Sequence, residues 1–132
     1  MTARSVLARG RRAAEALMVD TCVIRRRTGS TVDPDTGAEI PTYTTVYSGK
    51  CRVQSRNFST ESPNAAGLQR VDLYHLEVQV PMSVTGVAVN DEIEITASVH
   101  DPDLVGRRMR VQNLFHASHK TARRLQVEEV TS

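Results

Sequence analysis

The chain has no tryptophan, and its 132 residues include only five other aromatics: Phe58, Phe115, Tyr43, Tyr47 and Tyr74. A core must therefore be assembled from valine, leucine, isoleucine and alanine. The hydrophobic share of 39% is low for a compact monomer, so association with neighbouring subunits is one way to bury more surface. Two cysteines, Cys22 and Cys51, are too few for a disulfide scaffold or a four-ligand zinc site. Both fall at inward positions of strand-like segments, where they read as small hydrophobes in preference to a disulfide. No sustained apolar run follows the arginine-rich start. Neither a signal peptide nor a membrane span is expected, and the chain is expected to assemble in a cytoplasm.

What is present is a charge gradient and a repeated alternation. The formal net charge of +2 divides into +5 over residues 1–27 and −3 over the remainder. Basicity confined to one end suggests docking to an acidic partner or to nucleic acid, with a solvated helix face as the alternative. The length fits one domain, 1–132, and two separate cores would each be too small.

Strict apolar/polar alternation marks the C-terminal part. Ile93, Ile95, Ala97 and Val99 oppose Glu92, Glu94, Thr96 and Ser98. Met109 and Val111 oppose Arg108, Arg110 and Gln112. Leu125 and Val127 oppose Arg124, Gln126 and Glu128. This is period-2, half-buried strand behaviour. Upstream, residues 71–80 alternate in the same way, with Tyr74, Leu76, Val78 and Val80 inward, His75, Glu77 and Gln79 outward, and Pro81 as the stop. Residues 21–27 predict a first strand, and residues 43–47 and 50–54 two more, kinked at Ser48-Gly49.

One helix is predicted, over about 3–18. Val6, Leu7, Ala14, Leu17 and Met18 form its apolar side, Thr2 is its candidate cap, and Gly10 weakens its middle by about 1 kcal/mol. Residues 28–40 read as a long hairpin connection around Asp33-Pro34-Asp35-Thr36-Gly37. Those carboxylates do not make a calcium loop, because the further ligands and the closing glutamate are missing. Residues 55–70, SRNFSTESPNAAGLQR, have no periodicity and predict a long projecting loop. The expected class is therefore mainly β: a small antiparallel β-barrel or sandwich over about 21–130, with one N-terminal α-helix.

The motifs of catalysis are missing. No Gly-x-Ser-x-Gly elbow occurs. Gly49-Lys50 lacks the glycine spacing and the hydroxyl residue of a phosphate loop. His116 and His119 lie three apart without acidic or cysteine partners, so a polar loop is preferred to a metal site; His75 and His100 face no recognisable nucleophile. Glu92 with Glu94, and Glu128 with Glu129, read as exposed strand faces and tail rather than acid/base pairs. We expect no enzyme, no catalytic or metal-binding residues and no cofactor.

The order of helix, hairpin and strands, with the connectors Val89-Asn90-Asp91 and Asp101-Pro102-Asp103-Leu104-Val105-Gly106-Arg107, resembles the head-closure (stopper) proteins of long-tailed phages, particularly those of actinobacterial hosts. The resemblance covers nearly the whole chain, from Thr2 to about Val130. It implies a structural virion protein of the neck, one subunit of a homo-oligomeric ring assembled in the host cytoplasm. The implied partners are further copies of itself, a portal or adaptor protein on the head side, a tail terminator or tail tube protein on the tail side, and the double-stranded genomic DNA in the lumen; no membrane is implied. Such a ring retains the packaged genome and offers a tail attachment surface. By position, residues 55–70 match the family's channel loop, which makes Arg56, Asn57, Phe58, Ser59, Thr60, Glu61 and Asn64 candidate gating residues. Arg4, Arg11 and Arg12 are candidates for docking on the connector, unless the helix merely packs across the open end of the barrel. One alternative is a tail-terminator or minor tail protein. Another is a small OB-like nucleic-acid-binding module using a stripe of Arg108, Arg110, Arg123 and Arg124. Its outward faces, however, carry Glu77, Gln79, Glu92 and Glu94 and no stacking aromatics.

Overall fold

The computed structural model describes residues 2–64 and 67–130, with backbone alone over 56–64 and 67–75. The elements are α1 (Ala3–Ala16), β1 (Asp20–Val32), β2 (Glu39–Asn64), β3 (Gly67–Val80), β4 (Glu92–Ala97), β5 (Arg108–Leu114) and β6 (Arg123–Glu129). All strand pairings are antiparallel, and the order β1-β2-β3-β6-β5-β4 returns to β1, so the sheet closes into a barrel. The mainly β class and the single N-terminal helix are as the alternation predicts.

The core is what the sparse aromatics require. Ile24, Ile93, Ile95, Met109, Val111, Leu125, Val78, Val80 and the two cysteines are fully or almost fully buried. Each large aliphatic side chain so buried contributes roughly 1.5–3 kcal/mol. Cys22 and Cys51 are both free thiols. A hydrogen bond with Cys22, together with burial, pushes the Cys51 thiol far up, so the pair acts as compact, inert filling.

Several expectations need correction. Residues 43–54 form no kinked pair of strands. They belong to one strand, β2, in which the register slips opposite Ile24/Arg25 and the irregularity is absorbed as a bulge. The first strand does not end at Arg27 but continues to Val32, paired as far as Val32↔Glu39. The hairpin connection thus shrinks to 33–38. Threonines at 28, 31, 42, 44 and 45 favour extended backbone without needing a core. Val99 was expected to face inward; it is 69% exposed, because β4 stops at Ala97.

The longest correction concerns residues 55–70. They form no irregular loop in the described backbone: β2 and β3 pair continuously from Arg52↔Gln79 to Asn64↔Gly67. Beyond Leu76 neither strand has another neighbour, because β6 meets β3 only over 76–80. The projecting segment is therefore a two-stranded ribbon.

A second ribbon mirrors it. β4 meets β1 only from Thr21 to Arg25, so 26–32 and 39–45 pair with each other alone. From Arg26 onward no residue of β1 is buried. β2 runs out of one ribbon, through the barrel wall and into the other, so the two arms leave from opposite ends.

Candidate functional site

α1 starts at Thr2, whose hydroxyl accepts the Ser5 N–H (3.2 Å), as expected of the cap. No residue of the helix is fully buried. Its half-buried stripe is Leu7, Gly10, Arg11, Ala14 and Glu15. Val6 and Leu17, expected on the apolar side, are 53% and 54% exposed, while Met18 is buried just past the helix end. The helix rests on polar contacts: Arg11 Nε donates to Lys120 O (3.2 Å), and Glu15 pairs with Lys50 Nζ (3.0 Å). Lys50 precedes the inward-facing Cys51, so its side chain points out of the barrel. The helix thus lies along the outer flank and does not cross the open end.

That flank is not simply solvated. Glu77 and Gln79, expected to face water, are each 5% exposed. Gln79 Nε2 donates to Gln54 Oε1 (2.7 Å) and to Glu77 Oε2 (3.2 Å). Burial pushes the Lys120 amine down, Arg124 adds to this, and Glu77 opposes it. The polar side chains on this outward face of β3 satisfy one another instead of water.

The three candidate docking arginines come together in a groove of about 530 Å³ that Glu15 and His119 also line. Arg4 and Arg12 are exposed, whereas Arg11 is half-buried and anchors the helix. Of the three, only Arg4 and Arg12 have no structural duty among the described contacts. His119 has a left-handed backbone (φ 61°), and residues 115–122 form a loop, which separates His116 and His119 from any helical turn. Among the described residues, no group of three His, Cys, Asp or Glu side chains is placed to hold a metal ion. No helix among them is long and apolar enough to cross a membrane.

The gating candidates Arg56, Asn57, Phe58, Ser59, Thr60, Glu61 and Asn64 all lie on the β2 strand of the second ribbon. Their side chains lie outside the described residues, as do those of Tyr74 and His75. The pairing places each opposite a partner, from Arg56↔His75 through Phe58↔Leu73 to Asn64↔Gly67.

Half of the arginine stripe of the nucleic-acid reading, Arg108 and Arg110, is flanked by carboxylates. Arg110 sits opposite Glu92 on one side and Glu128 on the other, and Arg108 sits opposite Glu94. Glu94 also takes Arg25 of β1, and Arg107 pairs with Glu129 (2.7 Å). Such a ladder spends its positive charge within the sheet.

Sequence reasoning missed the tie between the arm root and the link before β4. Asp91 is 2% exposed and holds Arg26 with both oxygens (2.9 and 3.0 Å) while accepting the Ala88 N–H (2.8 Å). Arg26 also donates to Gly86 O. Donating to the Asp91 carboxylate, and its negative charge, raise the Arg26 guanidinium above its ordinary value. Asn90, with φ 76°, turns the chain so that Asp91 faces inward. The Asn90-Asp91 connector was the available signal.

A family model matches residues 10–128, from the middle of α1 into β6. The chain belongs to the Family of unknown function DUF6093. No curated protein matches this DUF6093 chain in sequence. The matched region covers both arms and all of the barrel except the last residue of β6.

Proposed function

We propose that this DUF6093 protein is a structural component of a phage neck, one subunit of a ring between the portal or adaptor and the tail. In that place it retains the packaged genome and presents a surface for tail attachment. It works through shape and contact, without making or breaking bonds. The observation that carries this reading is the pair of ribbons leaving opposite ends of one small barrel along a single 26-residue strand, β2. Isolated two-stranded ribbons are marginal in water. Arms of this kind at both ends suit a subunit that engages something on each side. The order of helix, hairpin and connectors that resembles head-closure proteins adds the identity of the two neighbours.

The roles then divide along the chain. The barrel supplies the rigid body. The β2–β3 arm, with Arg56, Asn57, Phe58, Ser59, Thr60, Glu61 and Asn64 on one strand, is the part that reaches the lumen. Arg4 and Arg12, free of structural duty, face an acidic surface of the head-side connector, while Arg11 holds α1 in place.

The test uses particles. With the gene intact, mass spectrometry of purified, tailed particles should recover the chain in stoichiometric amounts. Replacing 58–73 by a two-residue Asn-Gly turn should leave the subunit folded, since Asn57↔Tyr74 can close the shortened hairpin. Those particles should package DNA and then lose it. A chain absent from mature particles, or unchanged DNA retention and infectivity with the shortened arm, refutes the assignment.

A further inference from the structure

A cavity of about 330 Å³ opens between the link after β3 and the β5–β6 connection. That volume is at the small end of ligand sites, which span about 300–1,000 Å³. Val87, Leu114 and Phe115 give it an apolar side; Arg123 and Arg124 give it a cationic one, with His116 beside them. Arg123 occupies an inward position of β6, in phase with Leu125 and Val127. Its Nε is buried and has no hydrogen-bond partner among the described residues. A buried N–H left without an acceptor is costly, and more so on a charged group. The lining, two guanidinium groups beside an apolar wall, suits an occupant that brings an anionic oxygen and some apolar surface.

The tip of the β1–β2 arm has this chemistry. It carries Asp33 and Asp35, flanked by Val32 and Ile40, which are 68% and 47% exposed. Val32 pairs with Glu39 and Ile40 with Thr31, so one apolar residue stands on each face of the ribbon. The tip is also rigid. Gly37 N–H donates to Asp33 O (2.8 Å), Asp33 N–H to Ala38 O (2.8 Å) and Asp35 N–H to Asp33 Oδ1 (2.9 Å), with Gly37 at φ 71°. A tip set in advance loses little freedom when it docks. The Asp35 carboxylate makes no contact among the described residues and is available.

Arm and cavity lie at the same end of the barrel. Arg26, at the arm's root, donates to Gly86 O, and Gly86 lines the cavity. The stretch 26–32, paired only with 39–45, extends about 23 Å at ~3.3 Å per residue, which carries the tip away from its own cavity.

We propose that this cavity receives the acidic arm tip of a second copy of the chain, with the carboxylates meeting Arg123 and Arg124, so that subunits join head to tail. Such a contact is heterologous and closes into a ring when the rotation permits. The proposal rests on the ring reading above and supplies the contact that builds the ring.

Sedimentation velocity and native mass spectrometry of the full chain test it with two variants. Asp35→Arg spoils the tip and leaves the cavity; Arg123→Glu spoils the cavity and leaves the tip. Arg124→Glu, on the outward side of β6, repeats the second change without touching the barrel interior. The wild type should associate with rising concentration. Each variant alone should weaken association by at least tenfold. A mixture of one tip variant with one cavity variant should regain association, because the unaltered tip meets the unaltered cavity at one junction and the two reversed charges meet at the other. Wild-type protein that stays monomeric at its highest soluble concentration, or oligomers indifferent to all three substitutions, overturns the proposal. So does succinate shifting the Arg123 Nε–H resonance of a chain that does not self-associate, which would make the occupant a small acid. Recovery of the chain from particles is read separately, so the neck assignment can stand while this contact falls.

Discussion

Gly10 is a weak point of α1 when the helix is considered alone, and a requirement once it is docked. Alanine in a helix interior is favoured over glycine by about 1 kcal/mol. A Cβ at Gly10, however, would lie 2.8 Å from Thr121 Cγ2, closer than such atoms approach. Thr121 is β-branched and stiff at χ1, and Arg11 next door is tied to Lys120 O, so the segment cannot simply swing away. Overpacking of this kind costs typically about 1–3 kcal/mol. The helix gain and the steric cost oppose each other, and the cost is the larger. Gly10→Ala should therefore lower stability by up to about 2 kcal/mol. Thr121→Ser, which removes the offending methyl, should be a mild loss alone. Combined with Gly10→Ala it should release the helix gain, leaving a coupling of roughly 1–3 kcal/mol in a double-mutant cycle. Urea unfolding followed by circular dichroism measures all four proteins. If Gly10→Ala stabilises by about 1 kcal/mol with Thr121 intact and the cycle shows no coupling, α1 is not seated on this flank.

Three other outcomes are expected. Burial, with smaller contributions from Cys22, Cys51 and Glu15, pushes the Tyr47 phenol up to about 12. Because the folded value exceeds the unfolded one, its stabilisation is complete below about pH 10 and fades as pH rises through about 12. Absorbance titration near 295 nm should lose its step close to pH 12 in Tyr47→Phe. Asp91→Ala strands the Ala88 N–H and releases the arm root, so unfolding free energy should fall by roughly 1–3 kcal/mol, with hydrogen exchange rising first in 84–91. Ile95→Ala opens a void at the centre of the barrel and should cost about 2–5 kcal/mol by denaturant titration.

The barrel was legible wherever one strand face meets the core. Ile93, Ile95, Met109, Val111, Leu125 and Val127 stand at every second residue because the pleat sends alternate side chains inward, and all six are buried. The arms were legible only in part, for the same reason. A ribbon without a third strand or a layer above it has no inside, so nothing imposes a two-residue rhythm on 26–32, and serines, threonines and asparagines read as loop. Glu77 and Gln79 obeyed the rhythm and still misled, since alternation tells which face a residue is on but not what covers that face. Among the candidate site residues, Arg4, Arg11 and Arg12 were rightly placed on one helix, but the sequence could not tell that Arg11 is committed to Lys120 O. Arg123 was visible as an arginine in phase with Leu125 and Val127, and its isolation became evident only with the cavity around it.

The course of β2 has a mechanical consequence. Its hydrogen bonds go to β1 as far as Cys51 and to β3 from Arg52 onward. Tension applied to one protruding hairpin travels along unbroken extended backbone to the other, past the handover between Cys51 and Arg52. The bonds on either side lie across the direction of pull and must slide together instead of peeling one at a time. A load on either extremity is thus borne along the whole length of one strand.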